Sequence, residues 1–251
     1  MDLRIHDQLF LVTGASSGLG RAVLERLVEE GAAAIAVARK EADLQMIARE
    51  YPNVEYIAGD VTHADTLKAI EGLVSKRKLS GVFVNAGGPP AMTFMESTPD
   101  DWDRAYAGVF RWKMVLVQQL IPHMRRNAYG RILFSESVSV VHPVENLVLS
   151  NALRMAVVGM ARTIASEVAG DGITANVIGP GYHETNAIQR LFDKKSRQVG
   201  ITTEQARQQT LDKIPLGRTG DPHDFASLAV WLLSPLSNYV TGETFMVSGG
   251  A

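Results

Sequence analysis

Three glycines mark the first place where the sequence could do chemistry. They stand in the run Thr13-Gly14-Ala15-Ser16-Ser17-Gly18-Leu19-Gly20, between an apolar segment and an amphipathic one. Glycines allow a tight turn, a close approach of the backbone to a pyrophosphate, and a helix that presents amide donors and positive dipole to phosphates. A glycine triplet alone is weak evidence, since glycine turns often only reverse the chain. Its place between a first strand and a first helix favours a dinucleotide site.

The residues after the second apolar segment indicate which dinucleotide would bind. A carboxylate there accepts hydrogen bonds from the 2′-hydroxyl of NAD, whereas a guanidinium pairs with the 2′-phosphate of NADP. Here Ala38 is followed by Arg39 and Lys40. Ser16 and Ser17 would add hydroxyl donors from the glycine loop. The sequence predicts NADP, with NAD as the alternative; the other interpretation is that these two cations are solvated surface charges.

Seven short apolar segments indicate buried strands. They cover residues 9–13, 34–37, 54–58, 81–85, 131–135, 174–178 and 244–247. Amphipathic stretches with helical spacing separate them. Strands that are apolar on both faces and alternate with helices form parallel sheets covered on both sides. We therefore predict an α/β fold: one Rossmann-type domain over residues 1–251, with a doubly wound parallel sheet of about seven strands.

Several helices can be placed from their first residues. Thr98-Pro99 is followed by Asp101, and Asp221-Pro222 is followed by Asp224. Each pattern supplies a capping side chain, a proline at the first helical position and an acid near the positive helix end. Long helices are expected over about 100–126 and 149–169. The polar stretch 185–213 is rich in Gln, Arg and Lys, and we expect it to form a helical lid over a substrate site.

Composition excludes several classes of function. The 251 residues carry 25 Lys and Arg against 27 Asp and Glu, a net charge of −2, which gives no general attraction for nucleic acid or an anionic membrane. The absence of cysteine removes thiolate catalysis and disulfides, and the six histidines lack metal-ligand spacing, so no catalytic metal is expected. No uncharged apolar run approaches the roughly 20 residues that span a bilayer. With no signal-type start, we expect a cytoplasmic protein.

Further motifs follow the glycine loop in order. They are Asp60-Val61, Asn85-Ala86-Gly87, Gly130-Arg131-Ile132, Asn176-Val177-Ile178-Gly179-Pro180-Gly181, Ile214-Pro215-Leu216-Gly217-Arg218 and Ser248-Gly249-Gly250. In this order the chain resembles the short-chain dehydrogenase/reductase family almost end to end. The resemblance implies an NAD(P)-dependent oxidoreductase acting on a carbonyl or alcohol of a small-molecule or acyl substrate. It implies cofactor contacts from the glycine loop, Asp60-Val61, Asn85-Ala86-Gly87 and Pro180-Gly181. It also implies a homodimer or homotetramer joined through the two long helices.

The catalytic positions depart from the family, which acts through Asn, Ser, Tyr and Lys. Counting from Gly130-Arg131-Ile132 places the family serine at Ser137, the Tyr-x-x-x-Lys pair at Ser150 and Arg154, and the Asn at about Val109. Residues four apart share a helix face, so Ser150 and Arg154 would occupy the places of phenol and ammonium, with Arg154 also near the cofactor ribose. Arginine stays protonated, and a serine hydroxyl is a much poorer acid than a phenol. The chain resembles a divergent 3-oxoacyl-[acyl-carrier-protein] reductase-like subgroup that lacks this pair.

Three interpretations follow. In the first, a replacement acid donates the proton. The candidates are Glu136, His142, Glu145, Tyr182 and His183. In the second, Ser137 and Arg154 polarise the carbonyl and water supplies the proton, which gives slow turnover. In the third, the chain is a catalytically silent nucleotide-binding subunit with a regulatory or scaffold role.

Overall fold

The computed structural model describes residues 2–251, in which the short apolar segments form seven strands. The strands are β1 (Leu9–Thr13), β2 (Ala33–Ala38), β3 (Val54–Ala58), β4 (Leu79–Val84), β5 (Gly130–Ser135), β6 (Ile173–Pro180) and β7 (Thr244–Val247). The α-helices of this part of the chain are α1 (Gly18–Glu29), α2 (Glu41–Glu50), α3 (Ala64–Val74), α4 (Pro99–Ala105), α5 (Trp112–Arg126), α6 (Val148–Val168), α7 (Asn186–Val199), α8 (Thr203–Leu211) and α9 (Pro222–Leu233).

All neighbouring strands pair in parallel, in the order β3-β2-β1-β4-β5-β6-β7. The predicted doubly wound sheet is confirmed. One apolar core lies under α3, α5 and α6, and a second lies under α1, α2 and α9 on the opposite face. The strand order reverses between β1 and β4, and the crevice at such a point, outside the carboxyl ends of the strands, is where doubly wound sheets bind ligands.

The bounds of four strands differ from the prediction by one or two residues; these are β2, β4, β5 and β6. β4 begins at Leu79 rather than at 81 and ends at Val84, before Asn85. The reason for the early end is that the backbone N–H and C=O of Asn85 both bond to the Thr13 side chain instead of to a neighbouring strand. Side-chain chemistry therefore ends this strand.

The helix expected over about 100–126 is confirmed, since residues 99–126 are helical throughout, but its hydrogen bonding is not regular along the whole length. α4 starts as expected, with a reciprocal capping box between Thr98 and Asp101. A π-helical turn at Tyr106–Arg111 then separates α4 from α5. Such turns add a residue to one helical turn and occur frequently at functional sites. The second long helix, α6, matches its expected bounds to within one residue.

The polar stretch after β6 is helical, as predicted. Thr185 caps α7 by accepting a hydrogen bond from the backbone N–H of Ile188. α7 buries Ile188 and Phe192, while most of its other residues are exposed. Gly200, in the left-handed region at φ 73°, ends α7 before α8 begins. Over residues 2–251, no helix is both long and apolar enough to cross a membrane.

Candidate active site

The glycine loop joins β1 to α1 at the carboxyl edge of the sheet. Gly14 and Gly18 lie in the left-handed region, at φ 63° and 57°. A Cβ on Gly14 would lie 2.7 Å from the Asn85 Nδ2, and a Cβ on Gly20 would collide with the carbonyl of Gly14. Ser17 begins α1 without a capping bond from its side chain. The first amides of α1 and this hydroxyl therefore remain available, which fits a pyrophosphate.

Thr13 fixes the next element of the site. Its hydroxyl donates to the carbonyl of Asn85 at 2.8 Å and accepts from the Asn85 N–H at 2.8 Å. This bridge holds the start of the Asn85-Ala86-Gly87 motif against the glycine loop. Sequence reasoning missed this role of Thr13, although a hydroxyl at the end of an otherwise apolar strand was a signal that could have indicated it.

Arg39 and Asp60 lie at the ends of neighbouring strands, on the side expected to hold adenosine. Arg39 is exposed, and Asp60 and Val61 are partly buried. Burial opposes ionisation of Asp60, but hydrogen bonds from Thr62 and the charge of Arg39 outweigh it and hold the pKa of the carboxyl below its ordinary value. The exposed guanidinium of Arg39 suits a phosphate at the adenosine end.

Ser150 and Arg154 contact each other, as their helical spacing predicts. The Arg154 Nε donates to the Ser150 Oγ at 3.0 Å, and both residues are buried. Ser137, just beyond β5, is partly exposed, and its Oγ accepts from the backbone N–H of Ser139 at 3.1 Å. Each serine oxygen accepts one hydrogen bond, so each hydroxyl hydrogen remains available to a ligand.

A buried charge cluster, formed by Lys113, Glu136 and Arg154, joins α5, β5 and α6. Glu136 Oε1 lies 2.5 Å from the Lys113 Nζ, and Oε2 lies 3.1 Å from the Arg154 Nη1. The side chains of Lys113, Glu136 and Arg154 are 2%, 0% and 9% exposed. Burial lowers the pKa of the Lys113 amine, although the Glu136 carboxylate opposes this shift. Sequence reasoning missed Lys113, which lies one helical turn after Val109.

The three guanidinium nitrogens of Arg154 have different surroundings. Nε bonds Ser150, and Nη1 bonds both the carbonyl and the carboxylate of Glu136. None of these bonds, which are those of the side chain within residues 2–251, uses Nη2. Nη2 faces Gly88, where a Cβ would lie 3.2 Å from it. Gly88 directly follows the Asn85-Ala86-Gly87 motif, so the uncommitted nitrogen lies at the expected cofactor edge.

Two candidates for a replacement acid are wrong. Glu136 bonds two cations and therefore acts as an acceptor. His183 packs on Phe225 of α9, with ring centroids 5.6 Å apart, on the sheet face opposite α5 and α6. Burial lowers the pKa of the His183 imidazole, which favours a neutral ring there.

The other three candidates lie outside the charge cluster. His142 and Glu145 are exposed on the segment before α6, and Tyr182 is partly buried beside His183. None of these three hydrogen-bonds the charge cluster within residues 2–251. Their roles as acids stay predictions.

Asn151 shapes the wall of the cleft. Its Nδ2 donates to the carbonyl of Val144 at 2.9 Å, and its Oδ1 accepts from the Val144 N–H at 3.3 Å. The N–H of Val148 bonds the carbonyl of Met92, which ties the segment after β4 to the start of α6. The Leu-Ser-Asn stretch thus anchors the loop beside Ser150.

The remaining predicted positions lie around these groups. Gly181 donates its N–H to Val247, and a Cβ on it would lie 2.8 Å from the Cα of Ser248. Pro180 ends β6 next to it. Val109 is buried in the π-helical turn and lines a cavity of about 180 Å³ with Pro89 and Leu149. Within residues 2–251, no cluster of His, Asp and Glu has metal-binding geometry.

Comparison with known proteins agrees with this geometry. Residues 14–251 match the family described as Enoyl-(Acyl carrier protein) reductase. The 3-oxoacyl-[acyl-carrier-protein] reductase FabG of Vibrio harveyi is 32% identical over 99% of this chain and 98% of its own length. The chain belongs to the short-chain dehydrogenase/reductase family. Membership in this family of oxidoreductases confirms the resemblance read from the motif order.

Solved structures of the family have the same architecture. L-sorbose reductase from Gluconobacter frateurii, complexed with NADPH and L-sorbose, superposes with a TM-score of 0.94 at 28% identity, over 100% of this chain and 98% of the other. A gluconate 5-dehydrogenase described as putative, from Beutenbergia cavernae with bound NADP, gives a TM-score of 0.89 at 26% identity, over 100% of this chain and 98% of the other. The roles of Ser137, Ser150 and Arg154, and the divergent subgroup, stay predictions.

Proposed function

We propose that this short-chain dehydrogenase/reductase uses NADP to interconvert a carbonyl and an alcohol on a small or acyl substrate, through a site made of Ser137, Ser150 and Arg154. The observation that carries the proposal is the division of the Arg154 side chain. Two nitrogens are fixed by Ser150 and Glu136, and the third faces Gly88 at the cofactor edge. This arrangement leaves a buried, positively charged donor available at the edge where cofactor and substrate would meet.

The preference for NADP rests on Arg39. Its exposed guanidinium follows β2, where a carboxylate would select NAD, and it would pair with the 2′-phosphate. The solved relatives with bound NADPH or NADP support the same cofactor. Gly14, Gly18 and the free end of α1 would hold the pyrophosphate, and Asn85 with the residues after it would border the ribose.

The chain's own residues would stabilise charge on the substrate oxygen. When bound, NADPH supplies a hydride to the carbonyl carbon, and negative charge develops on the oxygen. The hydroxyl hydrogens of Ser137 and Ser150 are both available, because each oxygen already accepts a bond from the protein. The fixed positive charge of Arg154 would add to them. Donors that are held in place before the reaction are the most effective stabilisers of such charge.

Water would supply the proton. Arg154 stays protonated, the serines are poor acids, Glu136 bonds two cations, and His183 lies on the other face of the sheet. The alkoxide takes a proton from water, and a hydroxide ion leaves to solvent. Turnover would be slow compared with a site that holds a phenol beside an ammonium.

The surroundings of the site suggest how it is closed and assembled. We propose that α7 and α8 form a lid over the substrate, since they follow β6 at the cleft. We further propose a symmetric homodimer or homotetramer joined through α5 and α6, in the cytoplasm; Met155 is an exposed apolar residue on α6. Light scattering tests the assembly, and a monomer at micromolar concentration would contradict it.

A spectrophotometric screen of NADPH consumption tests the function. The substrates would be ketones, aldehydes, sugars, quinones and 3-oxoacyl thioesters. Ser137→Ala should lower the rate by about 10²-fold if this hydroxyl binds the oxyanion. Ser166→Ala, an exposed position on α6, is the matched control and should not change it. If the native chain binds NADPH but is inert, and Ser150→Tyr with Arg154→Lys creates activity, the silent-subunit interpretation is correct.

A further inference from the structure

The charge cluster contains two cations, Lys113 and Arg154, although one of them would be enough to pair with the single carboxylate of Glu136. Glu136 could pair with Arg154 alone, because a carboxylate and a guanidinium match each other at two points. Instead only Oε2 contacts the Nη1 of Arg154, at 3.1 Å, while Oε1 is held by Lys113 at 2.5 Å. Lys113 is buried on α5, so its amine is not offered to the cleft as a donor.

We propose that Lys113 is a positioning residue that keeps Arg154 open, by occupying Oε1 of Glu136 and so preventing two-point pairing between this carboxylate and the guanidinium. Nη2 then stays directed at Gly88, where it is available to the oxygens of the cofactor. The inference rests on the proposed function for the identity of the ligand, but it concerns the side chains of this protein alone.

The alternative geometry shows what Lys113 would prevent. With Oε1 vacant, Arg154 could turn so that Nη1 and Nη2 each donate to one carboxylate oxygen. Nη2 would then leave the cleft, and the bond from Nε to Ser150, now 3.0 Å, would lengthen. Arg154 and Glu136 would then form a buried ion pair whose hydrogen bonds are all made within the pair, and Arg154 would offer no donor to the cleft. Burying the Lys113 ammonium destabilises the fold, because this charge loses its hydration. In return, the Nη2 of Arg154 remains available as a donor in the site.

Three variants separate this role from simple packing. Lys113→Met keeps most of the length of the side chain and removes its charge, so Arg154 should close on Glu136. Adding Glu136→Gln to that variant leaves one amide oxygen as acceptor, which cannot grip a guanidinium at two points, so Arg154 should reopen. In an Arg154→Ala background, Lys113→Met should leave the affinity for NADPH almost unchanged.

The measurement is the dissociation constant for NADPH by fluorescence titration. We expect Lys113→Met to weaken binding by about tenfold, within the range of couplings between contacting residues. The double variant Lys113→Met/Glu136→Gln should return to within about threefold of the native value, and Lys113→Met should change binding by less than about twofold when Arg154 is already alanine. Arg131→Met, which removes a buried cation elsewhere, is the control and should act equally in both backgrounds.

Several results would overturn the proposal. They are a native chain that does not bind NADPH, a Lys113→Met variant with native affinity, a double variant weaker than the single one, or an equal loss in both backgrounds. If Lys113→Met does not fold, a Lys113→Arg variant that fails to retain affinity within about threefold overturns it as well. A native chain that follows the expected binding pattern but reduces no carbonyl in the screen contradicts the proposed function and leaves the inference intact.

Discussion

A buried arginine lies near each end of β5, and the two arginines have different roles. At the amino end, Arg131 donates to the carbonyls of Gly130 and Gly172 at 2.8 and 3.2 Å and to that of Ser234 at 3.3 Å. It also bonds the side chain of Asn238. Beyond the carboxyl end, Arg154 of α6 bonds Ser150 and Glu136 and leaves Nη2 uncommitted.

The difference shows that a buried arginine can either stabilise the fold or provide a donor to a binding site. Arg131 satisfies carbonyls where β5, β6 and α9 end or begin, and its guanidinium lies 4.2 Å from the ring centroid of Tyr129. All of its nitrogens serve the fold. Arg154 is held by a carboxylate that is itself shared, so part of its donor capacity remains. Both arginines are buried and charged. What distinguishes Arg154, near the proposed site, from Arg131, at the amino end of β5, is that Arg154 keeps a donor without a partner within residues 2–251.

The largest expected effect comes from removing the shared carboxylate. Glu136→Leu leaves Lys113 and Arg154 facing each other without compensation and should lower the free energy of unfolding by about 3–5 kcal/mol. Urea denaturation at neutral pH measures it. Lys113→Met/Glu136→Gln, which removes both charges of one pair, should lose less. Equal losses in the two proteins would show that the cluster is not held by charge.

A matched pair of variants tests the contrast between the two arginines. Arg154→Met should lower kcat by about 10²-fold or more, because it removes a preorganised donor and a fixed charge. Arg131→Met should lower stability and leave kcat/KM of the folded enzyme unchanged, because its partners, three backbone carbonyls and the Asn238 side chain, lie at the amino end of β5. Steady-state kinetics and thermal denaturation on both proteins measure this. A kcat loss in Arg131→Met equal to that in Arg154→Met would remove the distinction.

Cofactor selection offers a smaller effect at the same edge. Arg39→Asp should weaken NADPH binding by about 1.5–3 kcal/mol, the range for a charge-assisted hydrogen bond, while NADH binding is unchanged or improved. Arg49→Asp makes the same charge change near the other end of α2, and should affect the two cofactors equally. Calorimetric titration at one salt concentration compares them. Equal affinities of the native chain for NADP and NAD would contradict the assignment.

The smallest predicted effect concerns His183. This residue is an exception to the contrast between the two ends of the sheet, because it follows the carboxyl end of β6 and yet packs in the core. Its pKa is lowered by burial from the ordinary 6.5, so the unfolded chain binds the proton more tightly than the folded one. This group's contribution to stability is present above pH 6.5 and is lost as the pH falls towards the folded value, by at most about 1.4 kcal/mol per pH unit.

Replacing the imidazole checks this assignment. His183→Asn should flatten the stability profile below neutral pH, whereas His142→Asn, at an exposed position, should leave it as in the native chain. Denaturation at a series of pH values measures both. A profile that is the same in the His183 variant and the native chain would mean that another group titrates in this window.

Much of the fold could be predicted because its signals are local. Apolar runs place β1, β3 and β7 to the residue, and the pattern at Thr98 and Asp101 gives the capping box that the structure contains. The contact of Ser150 with Arg154 follows from helical spacing alone. These features depend on residues that are neighbours along the chain.

The rest of the site depends on packing between distant elements. Lys113 and Glu136 are 23 residues apart and meet only because α5 lies across β5. The face on which His183 lies is set by α9, which follows it by about forty residues. No pattern around position 183 distinguishes a histidine that packs on Phe225 from one that points into the cleft. The sequence pattern also does not show that one turn of the helix over 99–126 contains an extra residue, so the π-helical turn was not predicted.

The π-helical turn at Tyr106–Arg111 makes the site sensitive to chain length. Because an α-helix rotates about 100° per residue, deleting one residue there would restore regular hydrogen bonding and yet turn α4 by roughly that angle relative to α5. With Lys113 held in place by Glu136, the rotation would fall on Val109 and the capping box of α4. Lineages of this chain should therefore accept substitutions in the segment 106–111 far more readily than a change in its length.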